Sequence, residues 1–343
     1  MEKLLTDLTD MRGVSGYEYR INEKIKELFL PYSDDVKINK LGSVIAFKKG
    51  KTSKMKIMIE AHCDEIGLMV SKVNKDGFLS FVNIGGVDQR ILPASEVIVH
   101  GKKDIKGVVC AKPPHVLSDE ERKKSIKVSD MYIDIGYDCD EVEELISVGD
   151  SISLSQSIGE MKNNNFSAKT LDDRAGVAVI LEVFKRIKEL DADLYALISV
   201  QEEVGLRGGK TGAFEVNPDV AIAIDVCHAI TPDNSKNAFK SGEGTVITIG
   251  PNIHTKVSDK LFKIAEKYDI KTQTDVDSGC TGTDAWEIQV TRQGIPTGLI
   301  SLPLKYMHTS VETINLEDFI ETVSLIENFL KESDNFSEDW LCF

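Results

Sequence analysis

Five short segments of the sequence place histidine or carboxylate side chains at the ends of apolar runs or at the start of a helix. In open α/β sheets, ligand-binding groups gather outside the carboxyl ends of strands. Imidazoles and carboxylates bind divalent cations, and several of them meeting at one edge would be unstable without a cation to neutralise them. The pattern therefore predicts a metal centre. The segments are A-H-C-D-E-I-G (61–67), L-D-D-R (171–174), Q-E-E-V-G (201–205), A-I-D-V (223–226) and Y-M-H-T-S-V-E (306–312).

Each segment also has a purely structural explanation when it is taken alone. His308 could be a packed or capping residue, and Asp225 could be an acid in a turn. Asp172 and Asp173 could be capping acids, which the dipole at a helix N-terminus favours. The combination of all five segments favours metal binding over these separate explanations.

Two of the segments hold pairs of side chains whose spacing suggests a division of roles. Residues i and i+2 of an extended segment point the same way, so Asp64 can accept the second ring N–H of His62 and orient it for a metal. Without a metal, this would be an ordinary His–Asp hydrogen bond, and Glu202-Glu203 would be a solvated pair. Adjacent side chains of a strand face opposite sides, so both glutamates enter one site only if the chain bends near Gly205. One glutamate would then bind metal while the other transfers protons.

The elements that must position these side chains alternate between helix and strand from Leu171 onward. Nearly unbroken apolar runs are typical of buried parallel strands, and apolar residues at helical spacing predict amphipathic helices. A Ser15-x-x-Glu18 capping box predicts a helix that ends at Pro31, and Asn315 is expected to cap the last helix. The predicted strands cover 56–61, 194–200, 220–226 and 298–302, and further helices are predicted at 175–190 and 257–268.

Residues 66–165 differ from the rest, because short β-rich runs are separated there by Gly, Pro and Asn turns. These runs cover 77–82, 96–100 and 106–111, and the charged segment 118–127 is expected to be a loop or one helix. We predict an α/β protein with a mostly parallel sheet and an inserted small β-rich domain. The expected division is a catalytic domain formed by 1–65 and 166–343, with the insert at 66–165.

Composition narrows the possible functions of this 343-residue chain. No apolar stretch is long enough to span a membrane, and the start of the sequence lacks a signal-peptide pattern. The formal net charge is −15, and no basic cluster is longer than Arg122-Lys123-Lys124, so nucleic acid is not an expected partner. The six cysteines form no C-x-x-C pair, which favours reduced thiols and a cytoplasmic location.

The five segments, in this order, resemble the tetrahedral aminopeptidases, a family of co-catalytic metallopeptidases that includes glutamyl and deblocking aminopeptidases. The resemblance runs along essentially the whole chain and includes G-V-V-C-A-K-P-P-H at 107–115 and T-G-T-D-A at 281–285. It implies a zinc-peptidase-like catalytic domain with a PDZ-like dimerisation insert. It also implies dimers that assemble into a tetrahedral dodecamer.

The resemblance implies a role for each residue of the predicted centre. Asp172 would bridge two divalent metal ions, zinc or cobalt, with His62 and Asp225 completing one ligand set. Glu203 and His308 would complete the other set. Glu202 would be the general base and Asp64 the partner that orients His62, and the peptide bond between Asp172 and Asp173 would be cis. The implied reaction is removal of N-terminal residues from short peptides by a water held between the two metals.

Two other functions compete with this one. A deacylase or carboxypeptidase could use a similar two-metal centre, but it would need a cationic group to hold a substrate carboxylate. No such group stands out at the ends of the ligand-bearing strands. An inactive, oligomeric peptide-binding homologue is the second alternative, and the retained base and complete ligand set argue against it.

Overall fold

The structure is a computed structural model that describes residues 1–155, 157–333, 336 and 338–341. No helix among these residues is long and apolar enough to cross a membrane. The α-helices are α1 (Glu2–Thr9), α2 (Asn22–Phe29), α3 (Cys139–Leu145), α4 (Leu171–Arg186), α5 (Arg207–Val216), α6 (Thr255–Lys267), α7 (Ala285–Ile288) and α8 (Leu316–Glu332).

The strands form one large mixed sheet and one closed barrel. The strands of the sheet are β1 (Asp35–Ile38), β2 (Val44–Lys48), β3 (Lys56–His62), β10 (Ser157–Met161), β11 (Asn165–Ala168), β12 (Asp193–Ser199), β13 (Val220–His228), β14 (Thr245–Ile249), β15 (Thr272–Val276), β16 (Thr297–Lys305) and β17 (Glu312–Asn315). The strands of the barrel are β4 (Gly67–Val73), β5 (Leu79–Ile84), β6 (Glu96–His100), β7 (Asp104–Ala111), β8 (Met131–Asp134) and β9 (Ser151–Leu154).

The centre of the large sheet is parallel and buried on both faces. Strands β12, β3, β13 and β16 lie side by side in parallel, so their carboxyl ends share one edge. On β3, Ile57, Ile59 and Ala61 pack in the core cluster with α4, while Met58 packs in the cluster on the opposite face. This alternation follows from the two-residue period of a strand. Helices on both faces therefore hold the central strands in fixed register.

The prediction of a mostly parallel sheet is correct for these central strands and wrong for the sheet as a whole. Strands β1, β2, β10, β11 and β17 pair antiparallel with their neighbours. Pairs such as β1–β2 and β10–β11 are joined by short turns, and a tight turn between adjacent strands permits only antiparallel pairing. These outer strands are short and lack the long apolar runs by which the central strands were recognised.

The β-rich segment forms a six-stranded barrel with its own apolar core. Its strands pair antiparallel and lie between Gly67 and Leu154. The predicted runs at 96–100 and 106–111 correspond to β6 and β7. The charged segment 118–127 contains a short 3-10 turn at Glu121–Lys123 and no α-helix among its described residues. Strand β10, which follows the barrel, pairs within the large sheet.

The predicted capping box at Ser15 does not begin a helix. Glu18 instead starts a 3-10 turn, and α2 begins only at Asn22. The Glu18 carboxylate accepts hydrogen bonds from the N–H groups of Gly16 and Gln201, so it serves a tertiary contact and not a helix cap. The predicted cap at the other end of the chain is confirmed, because the Asn315 side chain accepts the N–H of Glu317 at 2.8 Å.

Candidate metal centre

His62 ends β3 at the shared carboxyl edge of the central strands, where it is buried. Its Nε2 lies 3.1 Å from an oxygen of Asp172 and 4.0 Å from an oxygen of Glu202. Its Nδ1 lies 3.6 Å from Oδ1 of Asp64, which is beyond hydrogen-bond distance. Nε2 therefore faces the other acids of the cluster and is the ring nitrogen in position to bind a metal, whereas Nδ1 faces Asp64.

Asp172 lies at the centre of the cluster. Its two carboxylate oxygens face different histidines, with Oδ1 at 3.1 Å from His62 Nε2 and Oδ2 at 3.3 Å from His308 Nε2. The peptide bond between Asp172 and Asp173 is cis, and the backbone of both residues departs from helical geometry within α4. The sequence-based expectation of a cis bond is confirmed. Asp172 therefore has the geometry of a ligand that bridges two sites.

The two glutamates follow β12, which ends at Ser199, so they lie outside the alternation of a regular strand. Gln201 has a positive φ of 58° and Gly205 one of 125°, which provide the predicted bend. The Asp64 carboxylate accepts hydrogen bonds from the backbone N–H groups of Glu202 and Glu203, at 3.0 and 3.2 Å. The main contact of Asp64 is thus with this loop, and its distance to His62 is longer than the i, i+2 argument suggested.

Asp225 and His308 complete the set of side chains at this edge. Asp225 lies within β13, and its carboxylate accepts the N–H of Val226 at 2.7 Å. His308 Nε2 lies 3.4 Å from Glu203, while its Nδ1 lies 3.2 Å from the carbonyl oxygen of Gly86. Because a carbonyl only accepts hydrogen bonds, this contact places the proton on Nδ1 and leaves Nε2 free to bind a metal.

Groups of potential ligand atoms lie within 4.8 Å of one another at this edge. One group combines Asp172, Glu203 and His308, and another combines His62, Asp173 and Asp225. The structure thus brings together all five predicted ligands and Glu202 around one space, with Asp64 directly behind them.

Sequence reasoning left three residues of this region out of the predicted metal centre. Asp173 is fully buried in the cluster and caps the following turn, accepting the N–H of Gly176 at 3.0 Å, as the structural alternative proposed. Glu312 is buried and accepts the backbone N–H groups of Asp172 and His308. Glu312 lies in the Y-M-H-T-S-V-E segment, and that position was the available signal. For the third residue, Gly86, the sequence offers no signal, because its contact is made by a backbone carbonyl of the barrel.

The electrostatics of the cluster fit divalent cations. Burial is the largest effect on Glu202 and raises its pKa to about 10, although His62 partly lowers this pKa. The negative charge of Asp225 raises it further. Burial also raises the pKa of Asp225 to about 8, opposed by His62 and reinforced by Asp172. Hydrogen bonds with Asp172 and Glu203 raise the pKa of His308 to about 11. Because burial disfavours the charged form of these carboxyl groups, a divalent cation beside them would stabilise the carboxylates and lower their pKa values. The residues present therefore fit a metal pair.

A cavity of about 790 Å³ opens onto the cluster and exposes it to a substrate. Its walls come from the ends of β13 and β15, from the segments 237–239 and 281–283, and from Met307 and His308, which follow β16. The cavity and the ligand-rich edge together define a hydrolase-type site of the metal-dependent class.

Comparison with known proteins specifies that class. Residues 42–325 match the M42 glutamyl aminopeptidase family. The lysyl aminopeptidase of Pyrococcus furiosus is 36% identical over 336 residues, which cover 96% of this chain and 96% of that protein. An aminopeptidase of the archaeon Desulfurococcus kamchatkensis superposes with a TM-score of 0.91 at 36% identity, covering 99% of this chain and 96% of that one. A TET peptidase of Pyrococcus horikoshii, described as forming a tetrahedron or a large octahedral shell, superposes with a TM-score of 0.85 at 34% identity, covering 96% and 99%.

The chain belongs to the M42 family of aminopeptidases. Membership confirms the predicted family resemblance and the predicted class of enzyme, a metal-dependent aminopeptidase.

Proposed function

We propose that this aminopeptidase uses two divalent cations, zinc or cobalt, held by the side chains at the carboxyl edge of the central strands. His62 and Asp225 would bind one cation, Glu203 and His308 the other, and Asp172 both. The observation that carries this proposal is the position of Asp172, whose two oxygens lie 3.1 and 3.3 Å from two different histidines. Sets of imidazole and carboxylate ligands suit both metals.

Bound cations would lower the pKa of a shared water, polarise the scissile carbonyl and bind the free α-amine of the peptide. Glu202 takes the proton of the attacking water and later passes it to the leaving amine. Two features support Glu202 in this role. It lines the cavity, and its carboxylate lies 4.0 Å from His62, whereas the carboxylate of Glu203 lies closer to a histidine, at 3.4 Å from His308. Asp64 orients His62, whose Nδ1 lies 3.6 Å from its carboxylate, and it also accepts a hydrogen bond from the backbone N–H of Glu202. Glu312 is a second positioning residue, because it accepts hydrogen bonds from the backbone N–H groups of Asp172 and His308.

The test is hydrolysis of a leucine anilide compared with hydrolysis of N-acetyl-leucine by the same preparation. After chelation and dialysis we expect no activity and no bound metal, and zinc or cobalt should restore turnover of the anilide together with two ions per chain. Turnover of the N-acyl compound alone would identify a deacylase and overturn the proposal. Reloaded protein that hydrolyses neither compound would favour the inactive peptide-binding homologue.

The composition of the cavity wall favours an aminopeptidase over a carboxypeptidase or deacylase. Those enzymes need a cation to hold the substrate carboxylate. None of the described residues that line the cavity is a lysine or an arginine. Its acidic walls suit a positively charged α-amine better than a carboxylate.

We propose that residues 66–165 form an inserted PDZ-like dimerisation domain and that 1–65 and 166–343 together form the catalytic domain. We also propose that dimers assemble into a tetrahedral dodecamer. The six barrel strands, all of which fall within 66–165, support the insert. The tetrahedral or octahedral assembly described for the Pyrococcus horikoshii peptidase supports the oligomer. Deletion of 67–154, which spares β10 of the large sheet, is expected to yield monomers in light scattering. Dimers after this deletion would place the contact elsewhere.

A cytoplasmic location is a further part of the proposal. It is supported by the cysteines that the structure describes, which are free thiols and suit a reducing compartment.

A further inference from the structure

The cavity beside the metal centre carries negative charge that the metals would not neutralise. Two divalent cations have four positive charges, and the carboxylates that would face them are those of Asp172, Glu202, Glu203 and Asp225. The same cavity is also lined by other acids, at the end of β15 and immediately after it. These acids therefore form a separate acidic wall.

The acidic wall consists of Asp275 and Asp277. Thr248 Oγ1 lies 3.4 Å from the Asp275 carboxylate, and the N–H of Gly279 lies 2.8 Å from that of Asp277. Both donors are neutral. Burial and the neighbouring charge of Asp277 raise the pKa of Asp275 above its ordinary value. Two half-buried carboxylates that repel each other gain stability when a cation binds between or beside them.

Apolar side chains line the same cavity. Val226, Phe239 and Met307 contribute to its walls, and Met307 packs against the main core. A pocket that combines apolar walls with carboxylates matches a side chain that has a methylene stem and a cationic head. Lysine and arginine have this composition, whereas leucine lacks the charge and glutamate has the opposite one.

We propose that Asp275 and Asp277 select substrates with a cationic first residue, so that the enzyme prefers peptides beginning with lysine or arginine. This inference rests on the proposed aminopeptidase function. It assigns the two aspartates a role in specificity, separate from metal binding and proton transfer.

The test compares kcat/KM for lysyl, norleucyl and glutamyl anilides with the zinc- or cobalt-loaded protein. Lysine and norleucine have side chains of similar length and differ in charge, so their ratio isolates the effect of the acidic wall. We expect the lysyl substrate to exceed the norleucyl one by about tenfold, as for a charge pair in partly solvated surroundings, with the glutamyl substrate the poorest. In the double variant Asp275→Asn, Asp277→Asn, KM for the lysyl substrate should rise until the ratio approaches one.

The matched control is Asp259→Asn, which removes one negative charge from an exposed position of α6 outside the cavity wall. It should keep the wild-type ratio. Equal turnover of lysyl and norleucyl substrates by the wild-type protein, or an unchanged ratio in the double variant, would overturn the specificity proposal and leave the aminopeptidase function intact. Failure to hydrolyse any of the three anilides would overturn both.

Discussion

Two clusters of buried charge lie next to each other in this protein, and they are neutralised in different ways. In the ion-paired cluster, Glu65 lies 2.6 Å from Lys169 and 3.4 Å from Arg174, and all three side chains are buried. Burial alone would raise the pKa of Glu65, but Lys169 and Arg174 lower it below its ordinary value. Arg174 also donates hydrogen bonds to the carbonyls of Leu8 and Cys63. This cluster is complete within the chain.

The metal-site cluster, formed by His62, Asp172, Glu202, Glu203, Asp225 and His308, lacks such compensation. Its cationic groups are two histidines, and the pKa values of three of its carboxyls, those of Glu202, Glu203 and Asp225, are raised, mainly by burial. Burial of acids is therefore not by itself the sign of a metal site. The sign is burial of several acids without a lysine or arginine to pair with them.

The largest expected effect comes from the proposed base in the metal-site cluster. Glu202→Gln removes the group that accepts the proton and keeps the size of the side chain. We expect kcat to fall by about 10²- to 10⁴-fold, the usual contribution of general base catalysis. Metal content, measured by mass spectrometry of the digested protein, should stay at two ions per chain. The control is Glu266→Gln on the exposed side of α6, and a fully active Glu202→Gln variant would exclude Glu202 as the base.

The next largest effect distinguishes the buried ion-paired cluster from an exposed ion pair that has the same N–O distance. Lys169 and Lys210 each place Nζ 2.6 Å from a glutamate, but the Lys169 pair is buried and the Lys210 side chain is 58% exposed. Lys169→Met should lower the free energy of unfolding by about 3 kcal/mol, because it leaves a buried carboxylate with one partner fewer. Lys210→Met should cost about 1 kcal/mol or less. Urea denaturation of the metal-free protein gives both values, and equal losses would remove the contrast between the two environments.

The smallest expected effect concerns the link between the barrel and the metal site. A Cβ at Gly86 would lie 2.7 Å from Nδ1 of His308, so Gly86→Ala should displace the ring. Changes behind a metal ligand weaken binding by about 10- to 100-fold, and we expect this loss for one of the two ions. Competition with a fluorescent chelator measures it. Gly136→Ala is the control for loss of barrel stability, because Gly136 has a positive φ of 73°, so an alanine there strains the barrel backbone while open space surrounds its side chain. Unchanged affinity for both ions in Gly86→Ala would show that the barrel does not hold His308.

Sequence reasoning succeeded where one strong local pattern decided the structure. The buried central strands have long apolar runs, so their carboxyl ends and the histidines and acids there could be located from the sequence. The last helix was located from its apolar stripe and its Asn315 cap. Those features depend on neighbours in the chain, and tertiary contacts reinforce them.

The parts that escaped prediction depend on partners distant in sequence. Glu18 resembles a capping residue locally, but it is 183 positions from Gln201, whose N–H it accepts. The contact of His308 with Gly86 spans 222 positions and involves a backbone carbonyl. The acidic wall around Asp275 is recognised as part of the cavity only once β15 is placed beside β14. No local spacing encodes such contacts.

The proposed pair of cations can be tested most directly by anomalous X-ray scattering from crystals of the zinc-loaded protein. Two peaks are expected, one among His62, Asp172 and Asp225 and one among Asp172, Glu203 and His308. A single peak, or zinc bound only at other side chains, would contradict the two-metal centre.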